Sequence, residues 1–321
     1  MASPPSTLRR RWWHRDPGDV GGNPAGGAAR RFVSSEHVGG WAFAAPAAVI
    51  IVLFGAVPIV WSIVLSFEQA SFSPGGKFVG LANYREMVHD PTVRQAIAHT
   101  LEYTALFVPL TMIVGMLLAV AMNRKIRFIS LYRTAAYVTM AVSTINEALI
   151  FLWLFDPSYG IVNYVASLFG LPQQPFLNSP SQALGVIVVM TVWGWTGFAV
   201  IIYLAALQGI PQTVLDAAAM DGARPWATFR RITVPMLSPA SLFLAVWLTI
   251  NALQLFDEVY VSTQGGPVGA TTVIVYYIYE QGFQYFNIGY ASAIALILLI
   301  ATLVVTAVQF RAGRRYTHYR S

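Results

Sequence analysis

Six stretches of mainly apolar residues, at about 41–67, 101–122, 131–154, 183–207, 239–261 and 288–310, dominate the sequence. A helix of about 20 such residues crosses the hydrocarbon core of a bilayer. Hydrophobic residues make up 56% of the chain and charged residues only 11%, so the excess apolar surface must face lipid. The fold class expected is all-α: a polytopic membrane protein with six transmembrane helices. Pro46, Pro58 and Pro109 fall inside spans one and two. Bilayer helices tolerate proline because neighbouring groups satisfy the freed carbonyls.

The basic residues set an orientation. Of the 20 Lys and Arg, seventeen lie in residues 1–40, in or beside the loop 123–130, in the loop 208–238 or beyond 310. Three lie elsewhere, Lys77, Arg85 and Arg94. The positive-inside rule therefore puts both termini and the loop 208–238 in the cytosol. Residues 1–40, rich in Gly, Pro and Arg, read as a disordered cytosolic tail, and 312–321 as a second tail. The apolar run that follows residue 40 is too long for a cleaved signal peptide.

Three other segments are expected outside the spans. Residues 79–98 read as an external amphipathic segment broken at Asp90-Pro91, and 156–182 as an external loop with one short helix. Residues 272–286 read as an interfacial helix with its tyrosines at headgroup depth.

Residues 208–239, QGIPQTVLDAAAMDGARPWATFRRITVPMLSP, predict two short helices at an angle. Pro211 suits a first helical position, Gly222 a left-handed turn, and Pro225 the start of a second helix over 225–233, ended by Pro235. Asp216-Ala217-Ala218, then Gly222, Ile232 and Val234-Pro235 at their intervals, resemble the EAA loop of binding-protein-dependent ABC importer permeases. Asp216 stands where that family has Glu, and Val234 where it has Leu; Asp221-Gly222-Ala223 matches its frequent Asp-Gly-Ala.

Gly80-Leu81-Ala82-Asn83-Tyr84, Phe155-Asp156-Pro157 with Gly160 and Asn163, and Thr263–Pro267 with Tyr276–Phe286 are similar to segments of its carbohydrate-uptake members, of maltose and glycerol-3-phosphate type. The resemblance covers about 41–311 as one permease domain of the type I importer fold. It makes 208–238 a coupling loop seated in an ATPase subunit, through Asp216, Ala217, Ala218, Asp221, Gly222, Ala223, Ile232 and Pro235. It also implies a second permease as heterodimer partner, two ATP-binding-cassette ATPase subunits and an extracytoplasmic solute-binding protein. ATP and magnesium then belong to the partner ATPase, with no cofactor in this chain.

Polar residues inside spans mark candidate substrate contacts. Asn251, Gln254 and Glu258 recur at i, i+3 and i+7, one helical face, with Asp257 beside them; Asn146 and Glu147 sit in span three. Trp153, Trp193 and Trp195 offer flat faces for a sugar ring. The other readings are interhelical hydrogen bonds for the amides and interface anchoring for the tryptophans. No Lys or Arg lies in the middle of a span, which favours a neutral solute over glycerol phosphate.

Other functions are weakly supported. There is no Cys, the histidines show no metal spacing, and neither Lys77 nor Lys125 sits in a P-loop, so the chain is expected to be neither an enzyme nor its own ATPase. The net positive charge lies between apolar runs rather than in a nucleic-acid-binding stripe. The alternative is an ion-coupled secondary transporter using Asp257, Glu258 and Glu147.

Overall fold

The computed structural model describes residues 41, 43–71, 76–124 and 127–316. The expected disordered tail 1–40 and residues 317–321 lie outside the described residues. Contacts divide the chain near Ile59 into two units. The described part of the first is most of helix α1 (Phe43–Leu65), whose residues to Ile59 are all exposed. A helix solvated by lipid needs no protein cover, because hydrocarbon and its apolar side chains are alike.

In the second unit a two-stranded antiparallel hairpin, β1 (Glu68–Gln69) with β2 (Lys77–Phe78), leads into α2 (Ala82–His89). Asn83 ties this entry together: its Nδ2 donates to the carbonyls of Ser66 (2.9 Å) and Glu68 (3.0 Å). Tyr84 adds a hydrogen bond from its hydroxyl to Ser66 Oγ at 2.7 Å. The Gly80–Tyr84 segment is thus a structural clasp.

Then come α3 (Pro91–Met122), α4 (Ile129–Val138), α5 (Thr144–Leu154), α6 (Ile161–Leu168), α7 (Ala183–Gln208), α8 (Gln212–Met220) and α9 (Pro225–Met236). Last are α10 (Ser238–Leu253), α11 (Asp257–Ser262), α12 (Ile274–Tyr279) and α13 (Ile288–Tyr316). Four helices, α1, α3, α7 and α13, are each long and apolar enough to cross a membrane, and two bent pairs, α4 with α5 and α9 with α10, bring the number to six. The protein is a helical polytopic membrane protein.

The core is the α3–α7 pair. A Cβ on Gly115 of α3 would overlap Ala199 of α7, so the small residues let two backbones meet. Around this pair, Phe107, Ile187 and Leu248 centre one buried cluster and Ala119, Tyr203 and Leu244 another. Side-chain bonds between the helices include Tyr203 hydroxyl to Ser241 Oγ at 3.2 Å and Gln309 Nε2 to Thr249 Oγ1 at 2.8 Å.

Several expectations need correction. The segment 79–98 does break at Asp90, but its second half is no separate element. Pro91 starts α3, whose 32 residues would span about 48 Å, well beyond the bilayer core, so its first turns project from the apolar span. Span three is two helices bent by 104° at Val142–Ser143. The stretch 239–261 also breaks, at Gln254–Phe256, so Asn251, Gln254 and Glu258 do not share a continuous helical face. Residues 312–316 continue α13 rather than opening a tail.

Pro211 is the N-cap of α8, with extended φ −60° and ψ 131°, not its first helical residue. Pro235 does not end the second loop helix. A π turn over Phe229–Thr233 precedes it, with Val234 N–H reaching back five residues to the Phe229 carbonyl. The wide turn gives room for a ring that would otherwise press on the preceding turn, and α9 continues to Met236. The same device, a π turn over Val52–Ala56, stands before Pro58 in α1.

Tyr276 and Tyr277 are buried within the protein. Their neighbourhood explains why. The hydroxyls of Tyr277 and Tyr290 both donate to Asp90 Oδ2, at 2.6 and 2.8 Å, and Asp90 Oδ1 caps α3 through Thr92 N–H at 2.8 Å. One carboxylate thereby joins the α2–α3 corner to α12 and α13.

Burial pushes the Asp90 carboxyl pKa up, but the bonds from Tyr277, Tyr290 and the Thr92 and Val93 amides outweigh it and hold the group below its ordinary value. A depressed carboxylate stabilises the fold above its unfolded pKa of about 4 and loses that contribution as pH falls through the folded value. Asp90→Ala should lower thermal stability in detergent by the equivalent of about 2–4 kcal/mol, since it leaves two buried phenols unpaired. The variant should also lose part of the wild-type's sensitivity to pH below about 4. Identical melting curves and acid profiles for the two proteins would contradict this role.

Candidate functional site

Two places carry the candidate residues. The first is the α8–α9 loop. Asp216 is exposed on α8 and accepts a hydrogen bond from Gln212 Nε2 at 3.1 Å. The expected smooth face of Ala217, Ala218 and Ala219 is only partly so: Ala218 is buried, and Ala217 and Ala219 face out.

Asp221 closes the helix. Gly222 follows with φ +71°, the left-handed conformation that glycine adopts without a Cβ penalty. Gly222 N–H bonds the Ala219 carbonyl and Ala223 N–H the Ala218 carbonyl, both at 3.0 Å, which is a Schellman closure. A Cβ on Gly222 would meet nothing within 4 Å in this chain. Ile232 lies in the π turn and Pro235 just after it, both half-buried.

Sequence reasoning missed the two most conspicuous side chains here. Met220 is 88% and Trp226 70% exposed, at the ends of the helices that flank Gly222. Large apolar groups left open beside a polar turn suit a protein–protein contact. The available signal was their position, bracketing the tight turn in a loop otherwise rich in charge.

The second place is a cavity of about 150 Å³. It gathers Asn251, Gln254, Asp257 and Glu258 despite the break between α10 and α11, because the break turns the chain back around the space. Thr144 joins them and donates to Asp257 Oδ2 at 3.2 Å, linking the breaks of spans three and five. Tyr103, Phe107 and Trp195 supply aromatic walls. Tyr103 and Phe107 were not singled out from the sequence, since nothing local distinguishes two rings on an apolar span.

Other candidates fall elsewhere. Glu147 is buried with its carboxylate close against Gly194, and its Oε1 has no hydrogen-bond partner among the described residues. A Cβ on Gly194 would overlap that carboxylate. Asn146 is exposed and does not line the cavity. Ser143 caps α5. Trp153 is exposed, and Trp193 packs on Phe151 at 5.8 Å. Asn163 holds the loop after α5 by bonds to the backbone of Pro157 and Gln174. Among the described residues no three His, Asp or Glu are grouped to hold a metal ion.

The arrangement suits a solute that bonds to hydroxyl, amide and carboxylate groups while lying against aromatic faces. No Lys or Arg lines the cavity.

Comparisons with known proteins agree with this architecture. Residues 111–318 match the family of binding-protein-dependent transport system inner membrane components. The lactose transport system permease protein LacF of Rhizobium radiobacter is 34% identical over 286 residues, covering 86% of this chain and 94% of that protein. The sn-glycerol-3-phosphate transport system permease protein UgpA of Brucella abortus is 35% identical over 277 residues, covering 86% and 94%. A probable ABC transporter permease of Pyrococcus horikoshii is 34% identical over 266 residues, covering 82% and 91%.

The crystal structure of a bacterial ABC transporter that imports alginate contains a chain superimposing with a TM-score of 0.80 at 24% identity, over 91% of this chain and all of that one, and so shares the fold. Membership of this family leaves no support for an ion-coupled secondary transporter, and it separates the chain from the ATPase. The chain belongs to the family of multi-pass inner-membrane permease subunits of binding-protein-dependent ABC importers.

Proposed function

We propose that this chain is one half of a heterodimeric permease that passes a carbohydrate or glycerol-phosphate-type solute into the cell by alternating access. Two ATP-binding-cassette ATPase subunits, holding ATP and magnesium, drive it, and an extracytoplasmic binding protein delivers the solute. Both termini and the 208–238 loop face the cytosol. Relatives named for lactose and for sn-glycerol-3-phosphate support the substrate class. The observation that carries the reading is the cavity itself: amide, hydroxyl and carboxylate groups against aromatic walls, without a cation. Its chemistry favours a neutral sugar or polyol over a phosphate ester.

The fold offers a direct mechanical route. The α8–α9 turn seats in the ATPase through Asp216, Ala217, Asp221, Met220 and Trp226. Helix α9 bends by 62° into α10, and the far end of α10 carries Asn251 and Gln254 into the cavity. Movement of the seated turn is therefore carried through α9 to the elbow and then along α10, whose 16 residues reach about 24 Å from the elbow to one wall of the solute site. The coupling must come from a free-energy difference between inward- and outward-facing states.

Trp226→Ala and Met220→Asp, made in the complete transporter, should each weaken ATPase docking by about 2 kcal/mol, the scale of an interface anchor. Solute-stimulated ATP hydrolysis and uptake should fall together while membrane insertion is unchanged. Undiminished coupling in both variants would remove the loop from the interface.

At the cavity, Asp257→Ala should raise the KM of uptake roughly tenfold through loss of a charge-assisted hydrogen bond, with basal ATP hydrolysis preserved. Competition in the same proteoliposomes separates the solutes. Neutral sugars are expected to compete and sn-glycerol 3-phosphate is not; the reverse pattern would reject the neutral-solute assignment.

A further inference from the structure

A second and larger cavity, about 360 Å³, opens on the flank of the helix bundle, away from the solute site. Its floor is buried Val93, Ile274 and Ile294, and exposed Ile97, Leu101 and Val305 form its sides. Along α13 the lining runs from Ile294 to Val305, about 16 Å at the α-helical rise. That is close to half of the ~30 Å hydrocarbon core, the depth of one leaflet.

Two polar residues lie on this lining. Thr100 is fully engaged: its hydroxyl donates to the Ala96 carbonyl at 2.8 Å and accepts from Ile274 N–H at 3.0 Å. A polar ligand would find no partner there. The other is Arg94, at the end of the groove where Val93 and Ile294 pack together. It is exposed, and the lining holds no carboxylate. Asp90, one turn earlier on the chain, is already held by Tyr277 and Tyr290. Arg94 stands near the start of α3, before the apolar stretch that begins at Leu101, at the end of the trough where a headgroup would lie.

We propose that this groove seats one acyl chain of an anionic phospholipid, with Arg94 holding the phosphate. Hydrocarbon fills a trough with no free bonding group. The guanidinium fork matches phosphate geometry, and its aliphatic stem lies along the apolar rim. An apolar helix of another protein would also fill the trough, but it would leave the cation unanswered.

The test uses the complete transporter in nanodiscs of phosphatidylcholine with graded phosphatidylglycerol, followed by quantification of the phospholipid retained after mild detergent washing. Wild type should retain phosphatidylglycerol in excess of its share of the bilayer. Arg94→Gln should lower that retention roughly tenfold and leave phosphatidylcholine unchanged, because one charge-assisted contact is lost. Ala301→Trp, which fills the groove at an exposed position, should displace both lipids. Equal retention of the two lipids by wild type, or no effect of Arg94→Gln, would overturn the proposal. So would loss of permease pairing in Ala301→Trp with lipid retention unaltered, which would make the groove a protein seat.

Discussion

A helix interrupted inside a bilayer leaves N–H and C=O groups that lipid cannot bond. This chain interrupts two of its apolar stretches, at Val142–Ser143 and at Gln254–Phe256, and the rest of the site depends on how those ends are satisfied. Short-range closures do part of the work: Val142 N–H returns to the Thr139 carbonyl, Gln254 N–H to Asn251 and Leu255 N–H to Ala252. Ser143 caps the restarted helix. The two interruptions then lie against each other, joined by Thr144 and Asp257. Irregular backbone at such depth is tolerated where it is buried in protein or borders a cavity, and here it does both.

The same constraint explains what was legible in the sequence. Residues 183–207 lack an internal break, and the helix there differs from the expected bounds by a single residue. Gly222 was readable because a left-handed turn is a local demand that one residue type meets without penalty. The breaks at 142 and 255 carry neither Gly nor Pro. At the second break Leu255 and Phe256 enter a cluster built largely by α3, α5 and α7, so that break depends on distant residues. The helical-face argument for Asn251, Gln254 and Glu258 therefore failed as geometry, although those side chains do meet around one cavity. The burial of Tyr277 was not legible for a related reason: its partner, Asp90, is 187 positions away.

The cavity bordered by Asn251 and Gln254 and the loop that bears Gly222 are joined by one continuous stretch of chain. Residues 225–253 form two consecutive rods with a single 62° elbow. Leu237 is fully buried at that elbow and Tyr203 bonds Ser241 one turn beyond it, so the bend is held by packing against α7. By contrast, Met220 and Trp226 are largely exposed, with the Trp226 ring tilted against that of Phe229 in its own helix at 5.6 Å. The segment is thus tightly packed at its elbow and exposed at the turn before it.

The wide turn at Phe229–Thr233 also sets the azimuth of everything after it. A π turn carries one residue more than an α-helical path, and each residue advances the helix by about 100°. That surplus residue indexes α10 about its own axis, so that Thr249 meets Gln309 on one side while Asn251 borders the cavity on another. Side-chain changes in the turn leave this phase intact. A change of chain length by one position would rotate both contacts out of alignment together, so the segment between loop and cavity accommodates variation in chemistry but not in count.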